Sequence, residues 1–440
     1  MTIFRILIFI VFAANQCVAQ SGFSFADGDK KAIINFELQK NLVLIPLELN
    51  GVLMRFLLDT GVAETILFSL ADKSEVMLQN VEKIKMRGLG DQDAVEGLKS
   101  RGNVLKTGGL VKTNEVVIVV LDESFNFSAS LGIEVNGIIG SSFFENNIVE
   151  INFLKKKITI HKDLKTVRKL HKYEAFELNI EGQKPYMNVD IVSNNQQKNL
   201  KLLLDTGNSD GLWIFRTPQN KLKIPEKSFE DFLGRGFSGD IYGKRATISK
   251  LNLKNFDFSK VVCAFPDTLS VQKMNLVSDR SGSIGGEIFS RFHVVFDYAK
   301  NKLYLKKNHR FYAHFPYNKS GIELQHAGSR LIKEEIVSRA LERTEGGVRI
   351  NFGGDDKDIK FKFELKPNFE VVSIRKGSPA QNSGLQVGDL IISINGVSSY
   401  RYKLQQINDI LRTEEDNVIK MNVERHGVII NIQFKLFDVL

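Results

Sequence analysis

Two cysteines, one tryptophan, eight prolines and seven histidines are all that the 440 residues hold of these types. Cys17 lies inside the N-terminal apolar run, so Cys263 stands alone in the rest of the chain. That excludes an internal disulfide framework, and the cores must hold by burial. Cys263 sits in the strand-like run Lys260-Val261-Val262-Cys263-Ala264-Phe265 with no histidine beside it. It is expected to be a small buried core residue rather than a nucleophile. The thinly spread histidines form no His-Glu-x-x-His zinc motif, and no Gly-x-Ser-x-Gly elbow or Walker-type phosphate loop occurs. The acidic turn Gly353-Gly354-Asp355-Asp356 lacks the spaced oxygen ligands of a calcium loop. No metal and no cofactor is therefore expected. Beyond the first twenty residues no apolar run reaches the roughly 20 residues of a spanning helix. Nor is charge concentrated. The net +9 comes from lysines scattered along strand-like segments and hairpin ends, which reads as a solvated surface and not a nucleic-acid footprint.

What is present is an apolar content of 43% with 32 phenylalanines, the composition of a folded, β-rich protein of about three domains. The N-terminus reads as a secretory signal: Arg5, the apolar stretch Ile6 to Ala14, then Cys17-Val18-Ala19 as a small-residue cleavage site. Export is expected, to a periplasmic or extracellular location, free or at the envelope, with no transmembrane helix once the signal is removed.

The chain then says the same thing twice. Phe56-Leu57-Leu58-Asp59-Thr60-Gly61 and Leu202-Leu203-Leu204-Asp205-Thr206-Gly207 lie 146 residues apart. Each follows a hairpin pattern, the first turning at Asn50-Gly51 and the second around Asn194-Asn195. Some eighty residues on, Gly137-Ile138-Ile139-Gly140 is answered by Gly282-Ser283-Ile284-Gly285, and each copy closes with a charged β-hairpin. Between these landmarks each half has a Gly-rich hairpin tip, read as a mobile flap over a cleft: Gly88, Leu89 and Gly90 in the first, Gly236 and Phe237 in the second.

An apolar strand delivering an Asp into a glycine loop, twice, supplies two facing carboxylates. Such a pair shares a proton and titrates as a unit. One carboxylate serves as general base on water while its protonated partner polarises a carbonyl and assists the leaving amine. Thr60 and Thr206 are placed to hydrogen-bond across the loops. The chemistry expected is amide hydrolysis at Asp59 and Asp205 without metal or covalent intermediate.

With these motifs, residues 21–307 resemble the aspartic proteases, with two lobes in one chain as in pepsin-like enzymes and a Leu-Leu-Asp-Thr-Gly wording closer to retropepsin-like domains. The resemblance implies that Ile139-Gly140 and Ile284-Gly285 brace the catalytic loops beside Gly61 and Gly207. Two departures are Val62 and Asn208, where the family usually has a small Ala or Ser after Asp-Thr-Gly. Residues 317–440 resemble a PDZ domain through Gly377-Ser378-Pro379-Ala380, Gly384-Leu385 and Gly388-Asp389. Its peptide groove is expected at Gly321, Ile322 and Leu404. About 45 residues separate that loop from the next matching strand, and 329–343 reads as an extra helix. Together the chain is similar to exported bacterial aspartyl proteases with a C-terminal PDZ domain. The resemblance implies a mainly β fold, two tandem lobes related by a pseudo-twofold axis and then an α+β PDZ domain. The expected boundaries are 1–19 for the signal, 20–164 and 165–314 for the lobes, and 315–440 for the PDZ domain. Polypeptide substrates, and a peptide or protein C-terminus at the PDZ domain, are the partners implied. The competing reading is a weakly active or inactive peptide-binding scaffold that works through its PDZ domain.

Overall fold

Asn50 and Gly51 both have positive φ (48° and 92°), the turn that matches strand twist and folds Leu42–Leu49 back onto Val52–Leu58. Alternate side chains of the first strand enter opposite sides of the sheet, the period-two consequence of a pleated backbone. Val43, Ile45, Leu47 and Leu49 join one buried cluster, and Leu42 and Leu44 join another. These strands belong to a nine-stranded sheet covered on both faces. In this computed structural model the described residues are 22–440 except 27, 71–72, 74, 87–94, 123–126, 218–219, 237–238, 273–275, 337–339, 345–346, 352–359 and 413–415. The signal segment 1–19 and the turn at Gly353–Asp356 lie outside the described residues.

The second half repeats the device. Lys184–Ser193 and Gln196–Leu204 pair across Asn194 and Asn195, again with positive φ (49° and 59°), within an eight-stranded sheet. A helical turn follows each apolar-Gly step, at Ser141–Phe143 and Gly286–Phe289.

A third, six-stranded antiparallel sheet is built from both halves. Its central seam pairs Ile148–Asn152 with Phe292–Asp297, Ile151 facing Val294. Val149, Ile151, Val294 and Phe296 are buried there, and Phe144 meets the Phe296 ring edge-on at 5.2 Å. Two apolar strands that each lack a complete sheet alone are completed by one another, so the lobes close within a single chain.

The C-terminal sheet runs Ile322–Ile336, Lys360–Ile374, Leu390–Ile394, Val418–Arg425, Val428–Lys435 around a buried cluster that includes Leu404 and Ile407 of the helix Leu404–Ile410. Ser378 caps the short helix Pro379–Asn382, its Oγ accepting from Gln381 N–H, with proline in the first turn. The helix expected over 329–343 is not there. Residues 322–336 form a strand, and Ala340–Thr344 pairs with Gly347–Asn351. The strand lies directly against Lys360–Ile374, with Leu331 opposite Leu365 and Lys333 opposite Phe363. The long gap after Gly321 is therefore the extension of one hairpin, and strand pairing satisfies the backbone that a helix would have satisfied internally.

Candidate active site

The Asp of each repeated loop follows a strand held on one side by its apolar-Gly segment. Gly137–Ile139 pairs in parallel with the end of Val52–Leu58, and Asp59 N–H donates to Ile139 O at 3.0 Å. Likewise Arg280–Ile284 pairs with Gln196–Leu204, and Asp205 N–H donates to Ile284 O at 2.8 Å. The following glycines lock the far side of each loop. Ser141 N–H donates to Val62 O (2.8 Å) beside Gly140, and Gly285 N–H to Gly211 O (3.0 Å). Val62 turns its side chain into the apolar cluster of the first lobe, and Asn208 ties its own loop to Ser283 Oγ (3.1 Å), so neither larger residue lies between the loops.

The two loops then meet. Thr60 N–H donates to Thr206 Oγ1 and Thr206 N–H to Thr60 Oγ1, both at 3.0 Å. Each hydroxyl also donates across the seam, Thr60 to Leu204 O (2.5 Å) and Thr206 to Leu58 O (2.9 Å). The arrangement is two-fold and fully buried at both threonines. Gly61 N–H reaches back to Asp59 Oδ1 (2.6 Å) and Gly207 N–H to Asp205 Oδ1 (3.1 Å). A methyl group on Gly61 would lie 2.9 Å from Asp205 Oδ1, and one on Gly207 2.2 Å from the Asp59 carboxyl carbon. Only glycine lets each loop come this near the other's carboxylate.

The two carboxyls lie side by side: a Cβ on Gly61 would sit 2.9 Å from Asp205 Oδ1 and 3.0 Å from Asp59 Oδ1. Burial first, and then the neighbouring Asp205 charge, raises the Asp59 carboxyl above the ordinary carboxylate range. Burial raises Asp205 as well, while the Arg280 guanidinium pulls it back down. The pair thus holds a proton to higher pH than isolated carboxylates do.

Two family models match segments of this chain. Residues 45–143 match the family model described as aspartyl protease, and residues 370–425 match that of the PDZ domain. The chain carries an aspartyl protease domain and a C-terminal PDZ domain. No curated protein is significantly similar in sequence. Among solved structures, an aspartic proteinase from Irpex lacteus is similar at 11% identity over 65% of this chain and 99% of its own, with a TM-score of 0.43.

The remaining expected residues of the protease and PDZ domains fall as follows. Gly236 ends Ser228–Gly236, which pairs with Gly239–Leu253 in the second Gly-rich hairpin. The first such hairpin joins Glu82–Met86 to Val95–Thr107. The tip residues Gly88, Leu89, Gly90 and Phe237 lie outside the described residues. Gly321 begins the PDZ strand in a left-handed turn (φ 79°), and its neighbour Ile322 shares a buried cluster with Leu404. Arg375 fixes that turn by donating to Asn318 O (2.8 Å) and Lys319 O (3.1 Å). Cys263 is buried in the second lobe, as its apolar context indicated. Among the described residues no group of three His, Cys, Asp or Glu is placed to hold a metal.

Three positions in the protease lobes carried no sequence signal. Arg280, buried with its guanidinium 5.2 Å from the Phe215 ring, directs positive charge at the dyad. Asp210, on the loop after Asp205, is held by Trp213 Nε1 (2.8 Å) and by Arg245 (2.9 Å). Asn41 crosses between lobes, its Nδ2 donating to Ser209 O (3.2 Å) and Glu287 Oε2 (2.7 Å). A lone Asn or Arg in a strand-turn context gives no pattern to read. Only the duplicated Asp-Thr-Gly spacing marks the neighbourhood they serve.

Proposed function

We propose that the chain is an endopeptidase that hydrolyses polypeptide amide bonds at the Asp59–Asp205 dyad. The observation that carries this reading is the reciprocal hydrogen bonding of the two repeated loops through Thr60 and Thr206, which sets the Asp59 and Asp205 carboxyls side by side in a buried site; burial raises both carboxyls. The ionised member takes a proton from a water held between them, and the water oxygen attacks the substrate carbonyl carbon. The protonated member donates its hydrogen bond to the carbonyl oxygen as charge develops there. Collapse of the tetrahedral species breaks the C–N bond, the amine leaves with a proton from the dyad, and the second carboxyl is restored. Thr60, Thr206 and the two glycine amides keep the carboxyl planes fixed through this cycle, which limits reorganisation in the transition state.

Substrate would lie as an extended strand between the dyad and the two Gly-rich hairpins. The PDZ domain would supply a second peptide site, by strand addition beside Ile322. Export is part of the same proposal, supported by the signal-like pattern of Arg5, the apolar segment Ile6 to Ala14 and the small-residue site ending at Ala19.

Hydrolysis of an unfolded polypeptide in 18O-labelled water tests the mechanism. Label should enter the new carboxyl terminus with no product formed by an added amine nucleophile. Transfer of the acyl group to that amine would reveal a covalent acyl-enzyme and exclude direct attack by water.

A further inference from the structure

The PDZ peptide groove runs between the strand Ile322–Ile336 and the helix Leu404–Ile410, with the Gly321 turn at one end. The chain's own N-terminal lobe sits on this gap. Helix Phe127–Leu131 packs along the strand. Leu131 is rooted in the apolar cluster of the lobe, so the helix belongs to the protease and presents another side to the PDZ domain. Gly132 follows in a left-handed conformation (φ 68°), pressed so near the PDZ helix that a Cβ there would lie 2.6 Å from Leu404 Cβ.

A second segment of the same lobe closes the gap from another side. Lys40 N–H donates to Gln405 Oε1 at 2.8 Å, and its ammonium lies 3.9 Å from Glu323. The lobe therefore touches both walls of the groove, strand and helix. On the opposite flank Arg375 lies 3.9 Å from Asp231 and 4.1 Å from the Phe229 ring, at the base of the second lobe's Gly-rich hairpin. The domain is held by both lobes with its binding edge turned inward.

We propose that the groove is shut in cis: Ser128–Gly132 and Lys40 of the protease occupy its mouth, and an extended peptide enters only by displacing that lobe. This deepens the proposed function and rests on its assignment of peptide binding to the PDZ domain. The apparent affinity for such a peptide is then lowered by the fraction of molecules in which the lobe has swung away. Displacement also reaches the dyad by a short path. Lys40 precedes Asn41, which braces Ser209 and Glu287 behind the Asp205 loop.

The test uses the full chain with two independent opening variants. Gly132→Leu lies outside the PDZ domain and wedges the interface apart. Gln405→Lys removes the acceptor for Lys40 N–H and places a second ammonium beside the first. Amide exchange at Ile322–His326 and Leu404–Leu411 should accelerate about tenfold or more in both, while Val418–Arg425 and Val428–Lys435 stay protected. Binding to an immobilised library of free C-terminal peptides should tighten by about the same factor. Absence of either response in both variants overturns the proposal, as does a parent chain that binds the library as tightly as Gly132→Leu. Cleavage of an unfolded polypeptide is followed in the same samples. If the parent cleaves nothing, the catalytic reading fails while the exchange result still decides the docking.

Discussion

Thr60 and Thr206 each use one hydroxyl twice, accepting from the opposite loop's amide and donating to the opposite strand's carbonyl. Removing one leaves a buried N–H and a buried C=O unpaired, at about 1–3 kcal/mol for each. Thr206→Ala should therefore lower stability by at least about 2 kcal/mol in urea unfolding, whereas Thr206→Ser, which keeps the hydroxyl, should retain most of it. The dyad gives a pH signature of its own. Both carboxyls are raised above the usual 3.8, chiefly by burial, so the folded state binds more protons than the unfolded chain above that value. Stability from this source is present at low pH and is lost as pH rises through the folded-state values. Asp59→Asn removes an ionisable member of the pair. Its Tm relative to the parent should rise between about pH 4 and pH 8 by on the order of 5 °C, followed calorimetrically. The Asp, Thr and Gly of both loops were legible because the motif is duplicated at fixed spacing. Arg280 and Asn41 were not, because they act through folding partners distant in sequence, such as Asn41 with Glu287 246 residues away.

Among the elements, the strands that run into the Asp loops announce themselves as short apolar runs because neighbours cover both faces. The seam strand Ile148–Asn152 is similarly explicit. Ile151 is fully buried against the other lobe's Val294, so Ile151→Ala should cost about 2–5 kcal/mol. Because the seam belongs to both lobes, that loss should shift one shared denaturant transition rather than split it in two. Two separate transitions would show that the lobes fold independently. The hairpin arms near 322–336 and 360–374 were illegible for the opposite reason. Leu331, Phe363 and Leu365 remain largely exposed, at 64%, 59% and 72%, so no core imposes a period on the sequence. Helix spacing and strand spacing then look alike until the partner strand is known.

For the whole molecule, a repeated sequence became two lobes joined through one six-stranded sheet, with the dyad where their loops meet. That much follows from duplication, since two copies of one hairpin-and-loop unit are placed to face each other. How the PDZ domain sits does not follow from any repeat. Its contacts run from Lys40 to Gln405, 365 residues apart, and from Gly132 to Leu404, through ordinary surface residue types. The account as a whole rests on two carboxylates working as one unit. The most direct measurement is cleavage of a diverse peptide library by the chain, by Asp59→Asn and by Asp205→Asn, from about pH 4 to pH 10. The account predicts parent turnover at acidic to neutral pH, reduced about 10³-fold or more by either substitution alone. Turnover that survives either substitution, or that peaks only above about pH 9, would contradict it.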